Sequence, residues 1–146
     1  MHKVDFPPLD IDDKEEIARV IFSPFMVEDG DVSPSAFNLR NLTPPEEYVS
    51  VFRHNYFVPT VENIQRITPP KDNIIYGYAR LIVGICRHIS YKDILINVLS
   101  HSSHRSPYHA GIHFSKSGID VKGKCEDPDF LIVRRMLANN SELIAF

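Results

Sequence analysis

Between Ile74 and Phe114 the chain repeats one local pattern three times: a run of β-branched, aliphatic and aromatic residues, then a short polar connection. The runs are 74–86, 94–99 and 108–114. The connections, 87–93 and 100–107, are shorter than the dozen or more residues that a parallel crossover needs. An antiparallel meander is therefore predicted. Tyr48-Val-Ser-Val-Phe-Arg53 alternates and is rich in β-formers, which adds a fourth strand at 48–53.

Helices are predicted on either side of this block. Asp10, Asp12 and Asp13 suit the positive end of a helix dipole, and Ile17, Val20 and Ile21 follow at helical spacing. That places a helix at 10–21, although Arg19-Val-Ile-Phe22 equally fits a short strand. Thr60 caps a second helix at 60–67, stopped by Pro69-Pro70. Asp127-Pro128 starts a third at 128–138, with Phe130, Val133, Met136 and Leu137 on one face. Strands clustered in the middle with helices outside them indicate an α+β fold. At 146 residues the chain reads as a single domain, 1–146.

A net charge of -3 argues against a general nucleic-acid coat or a polybasic membrane binder. No apolar leader precedes the first element, and the longest apolar run, interrupted by Tyr76, Gly77 and Arg80, is too polar to span a bilayer. Cys86 lies in an apolar run and Cys125 in a charged loop, so two thiols in a reducing, cytoplasmic setting are expected.

The densest polar cluster is 100–109, and four of the seven histidines, His101, His104, His109 and His113, fall there or just after it. Three readings apply. His101, His104, His109 and His113 suit a metal by residue type, with Cys125 nearby. Yet His109 and His113 on one strand stand ~13 Å apart, and the spacing fits no closed tetrahedral site. Neither metal nor cofactor is expected. As a phosphate or nucleotide site, His109 and His104 supply proton carriers and Arg105 a bidentate anion ligand. The basic residues of 76–117, against Asp93 alone, favour that chemistry. The third reading is a polar hairpin loop without a role. His88-Ile-Ser90 and His113-Phe-Ser115 have the form of two-histidine phosphoesterase motifs, at short spacing and with Lys116 in place of an apolar residue.

Asp29-Gly30 marks a tight turn, and the stretch Val32-Ser-Pro-Ser-Ala-Phe37 follows it. Ser33 and Ser35 there, with Arg19, are candidate anion contacts. Taken in order, Ala18-Arg-Val-Ile21, Asp29 to Phe37, Val49-Ser-Val51 and Pro107-Tyr-His-Ala-Gly-Ile112 resemble a family of small uncharacterised bacterial proteins. Its pattern reads R-x-I, D-G-x-x-S-x-x-A-F, S-V, P-x-H-A-x-I. The resemblance implies that Arg19, Ser33, Phe37, Ser50 and His109 occupy marked positions, and it implies no activity. An arginine followed by a serine segment is also similar to toxin-type ADP-ribosyltransferase domains, whose third element, a glutamate closing a later strand, has no good counterpart here.

The leading expectation is a small bacterial enzyme acting on a nucleotide or RNA phosphate. His109 and His104 are its catalytic candidates, and Arg105, Arg19, Ser33 and Ser35 its anion contacts. The alternative is a non-catalytic module of a multi-gene defence or toxin–antitoxin system, docking a protein through Tyr48, Phe52, Tyr56 and Phe57. A concave pocket holding both Arg19 and His109 would favour the enzyme.

Overall fold

The computed structural model describes residues 6–123 and 127–146; Cys125 and Glu126 lie outside them. The centre is a mostly antiparallel sheet in an α+β fold. Its strands are β1 (Glu16–Ser23), β4 (Val49–Arg53), β5 (Ile74–Ile82), β6 (Ser90–Tyr91), β7 (Ile94–Ser100), β8 (His109–Lys116), β9 (Ile119–Asp120) and β10 (Glu142–Ala145). They run in the order β10-β5-β1-β4-β8-β7-β6, with β9 beside β8. A separate ribbon pairs β2 (Val27–Glu28) with β3 (Asp31–Val32). Helix α1 (Val83–His88) follows β5, and α2 (Pro128–Asn139) precedes β10. The expected strands near 48–53, 94–99 and 108–114 are present, as is the helix near 128–138. No helix is long and apolar enough to cross a membrane among the described residues.

Three expectations need correction. The segment 10–21 is not a helix: residues 16–23 form β1, in the sheet between β5 and β4. A strand covered on both faces is apolar at nearly every position rather than at alternate ones. In β1 that continuous burial happened to place Ile17, Val20 and Ile21 at helical spacing. The aspartates before it serve turns instead. Asp12 accepts from the Lys14 N–H, and Asp13 pairs with Arg87.

Residues 60–67 form turns rather than a helix. Thr60 does cap, accepting the Asn63 N–H at 3.1 Å. The segment is hemmed in by Pro59 and Pro69, with Ile64 buried in the core and Ile67 partly buried against it. The strand at 74–86 stops at Ile82. There the Val83 and Gly84 N–H groups donate to the Glu15 and Asp13 carbonyls, and the chain turns into α1. A Cβ on Gly84 would stand 2.9 Å from the Asp13 carbonyl oxygen, so the close approach depends on glycine.

Helix α2 begins as its sequence requires, with Asp127 accepting from the Asp129 N–H at 3.0 Å and Pro128 in the first turn. Phe130, Val133 and Leu137 are buried, and Phe130 meets Phe114 of β8 edge to face at 6.2 Å. The short 3-10 turn Pro34–Phe37 also packs against α2 and buries Phe37 completely. Arg53, at 1% exposure, makes a two-pronged ion pair with Glu15 at 2.7 and 2.9 Å. Its third contact is the Pro8 carbonyl. A charge so enclosed is tolerable only with its partner and hydrogen bonds in place.

Candidate functional site

Strands β1 and β4 are neighbours, yet they pair at only two positions, Ile17 with Arg53 and Ala18 with Phe52. Beyond Ala18, β1 continues against β5 and β4 continues against β8. A cavity of about 690 Å³ borders the two strands where their pairing lapses, lined by Arg19, Val20 and Phe22 of β1 and by Ser50, Val51 and Phe52 of β4. That volume lies within the ~300–1,000 Å³ of small-ligand sites. Phe52 pairs with His109 and so shares its face. Arg19, one residue past Ala18, belongs to the other face. Both line the cavity, which is thus bordered from the two sides of the gap.

Arg19 spans the gap. Its Nε donates to the Ala36 carbonyl at 2.9 Å and its Nη1 to the Ser50 carbonyl at 3.0 Å. Both acceptors are neutral, and no carboxylate pairs with Arg19 among the described residues. Crowding by protein pushes its pKa down to about 10, with the charge of Glu46 acting the opposite way. The guanidinium therefore remains charged at neutral pH. By exposed area Arg19 is half-buried rather than sealed, as suits a side chain that lines a cavity. Arg40 and Arg134 line the same space, and no Asp or Glu does among the described residues. Arg40 is held by Glu46 at 2.9 Å, an ion pair whose hydrogen bond raises the arginine's pKa.

His109 is half-buried. Burial lowers its pKa, and the charge of His101 lowers it further, against a backbone hydrogen bond at His101 that raises it. The ring is thus neutral near pH 7 and able to take a proton. Arg19 and His109 thus line the same cavity from two different strands, β1 and β8.

The other sequence candidates lie differently. Ser35 lines the cavity, but its Oγ donates to the Phe25 carbonyl at 2.6 Å and lies 3.0 Å from Ser33 Oγ. Ser33 Oγ accepts from the Ser35 N–H. The two hydroxyls hold the turn that presents the Ala36 carbonyl to Arg19. His104 and Arg105 are exposed at the tip of a turn closed by Ser103 and Ser106, and neither lines the cavity. His88 bonds the Gly84 carbonyl in α1, while His113 meets His101, so the two H-x-S histidines do not share a site.

The aromatic residues expected to dock a partner are mostly turned to contacts within the protein, with Tyr56 and Phe57 both stacked on Tyr108. Tyr48 stacks on His101 with centroids 3.8 Å apart. Phe52 lines the cavity and packs on Phe57 at 4.7 Å. Of the four, Tyr56 alone is well exposed, at 45%.

Sequence reading missed Arg40, Arg134 and the phenylalanine walls of the cavity. They come from segments far apart in the chain, and no local pattern marks them. Arg19 bonds the Ser50 carbonyl, Ser33 caps the turn that buries Phe37, and His109 lines the cavity. No protein-family description, curated protein or solved structure matches the chain.

Proposed function

We propose that this protein is a small enzyme acting on a nucleotide or on the end of an RNA strand. Arg19 holds a phosphate, and His109, on the lining of the same cavity, carries a proton. The observation behind this reading is that one cavity contains an arginine without a carboxylate partner, a neutral histidine and largely apolar walls with several phenylalanines. An anion is favoured by Arg19, with no acidic residue on the lining among the described residues. A planar, weakly hydrated base suits phenylalanine faces. A mononucleotide offers a group to each, its phosphate to Arg19 and its sugar or base to the histidine.

Calorimetry with nucleoside 5′-monophosphates, with inorganic phosphate and free nucleosides as controls, tests the binding. The intact nucleotide should bind more tightly than either part. Arg19→Lys should weaken it by up to about 1.5–3 kcal/mol, the scale of a hydrogen bond to a charged group. Chromatography of the incubated nucleotides, and of short RNA, then tests turnover. His109→Gln should retain most of the binding and lose turnover. Equal affinity for nucleotide and phosphate, or unchanged affinity in a folded Arg19→Lys protein, would sink the proposal.

A further inference from the structure

On the hairpin of β7 and β8, outside the cavity, two imidazoles point their Nε2 atoms at each other. His101 follows β7 and His113 lies within β8, and their Nε2 atoms are 2.7 Å apart. Their approach is not that of directly opposed residues, since His113 pairs with Asn97. The His101 ring lies back over Gly111 instead. A Cβ at Gly111 would fall 2.9 Å from His101 Cδ2 and 2.5 Å from Tyr48 Cδ2. Tyr48 stacks on His101 and fixes its plane. Both histidines are half-buried, and both have pKa values lowered first by burial. Near pH 7 they are neutral imidazoles, the form that ligates metals.

Two carboxylates stand close by. Asp120 pairs with Ser115, two residues from His113 and on the same face of the strand. Glu47 adjoins Tyr48 and pairs with Lys122 at 3.0 Å. The charges of both act on His113. No three His, Cys, Asp or Glu side chains already converge among the described residues.

We propose that His101 and His113 form the two-imidazole half of a site for a divalent transition-metal ion such as zinc, nickel or copper. Rotation of Asp120 or Glu47, or solvent, completes the coordination. Imidazole nitrogens bind such ions at about 2.0–2.1 Å, so two of them on one tetrahedral ion stand about 3.3 Å apart. Reaching that from 2.7 Å takes a separation of a few tenths of an ångström per ring and a tilt of each ring by roughly 35°, which brings both lone pairs onto the ion. Imidazole selects zinc, copper and nickel over magnesium and calcium, which prefer oxygen. His109 and His113, on one strand, stand too far apart for a common ion, whereas His101 reaches His113 from the neighbouring chain segment. This proposal is independent of the cavity and its ligand.

The test is titration of the tag-free full chain with zinc and nickel, with magnesium as control, together with histidine NMR. One equivalent of zinc or nickel should bind and magnesium should not. Paramagnetic nickel should broaden the His101 and His113 ring signals ahead of those of His54, His88 and His104. His101→Gln and His113→Gln should each weaken binding on the order of 10-fold or more, as loss of a ligand requires. Comparing Asp120→Asn with Glu47→Gln identifies the third ligand. No stoichiometric binding, broadening centred on another histidine, or undiminished affinity in both folded histidine variants would overturn the proposal. The wild-type broadening decides the matter if either variant fails to fold.

Discussion

At the level of single residues, much depends on an atom that is absent. Gly111 lies under the Tyr48 and His101 rings, where a Cβ would overlap both. Its φ is not in the left-handed region, so glycine is needed here for space and not for backbone conformation. Gly111→Ala should therefore cost about 1–3 kcal/mol, the usual range for overpacking, and should separate Tyr48 from His101. Urea titration gives the first quantity and the ring-current shifts of His101 the second. A variant as stable as the parent, with unchanged shifts, would mean that the rings move aside at no cost. The sequence places four histidines close together but does not show which rings meet. That depends on how side chains lean along and across the hairpin, and on the missing Cβ. His109 was identified from its position at a strand start, and it does line the cavity. Its neighbours His104 and Arg105 share its composition and its loop, yet the turn at Ser103–Ser106 aims them at solvent.

For the secondary-structure elements, legibility follows the range of the forces that make them. Helix α2 is readable because its signals are local: Asp127 at the cap, Pro128 behind it, and one apolar face. Leu137 is fully buried on that face, so Leu137→Ala should cost ~2–5 kcal/mol. A loss below about 1 kcal/mol in urea titration would contradict that packing. The cap also makes a pH prediction. Lys116 bonds Asp127 and holds its pKa below the usual aspartate value, helped by the Asp129 N–H. A depressed carboxylate pKa contributes stability above the unfolded value, and that contribution disappears as pH falls through the folded one. Protection of the amides at the start of α2, measured against their intrinsic exchange rate at each pH, should fall on acidification below about pH 4, where free aspartate titrates. Asp127→Asn should remove most of that dependence. Strand β1 was harder to read because what decides it is not local. Its continuous burial arises from strands and layers supplied by the rest of the chain, and in sequence it carries the same spacing as an amphipathic helix. β10, short and on the edge, gives no comparable signal.

Across the whole molecule, the cavity joins residues from β1, the turn after β3, β4, the 67–70 loop, β8 and α2. No window of sequence contains such a site. The sequence supplied Arg19, Ser35 and His109 one at a time, and only the sheet order puts them around one space. The same order has a mechanical consequence. The sheet is two ribbons, β10-β5-β1 and β4-β8-β7-β6, joined along a seam of two residue pairs. Arg19 ties them once more by reaching the Ser50 carbonyl. At the other end of the seam the Arg53–Glu15 ion pair and the bond from the His54 N–H to the Glu16 carbonyl hold the ribbons together, so the lapse in pairing is confined to the end that the cavity borders. The nucleotide proposed above, held by Arg19 on one ribbon and by His109 on the other, would act as a cross-brace over that lapse.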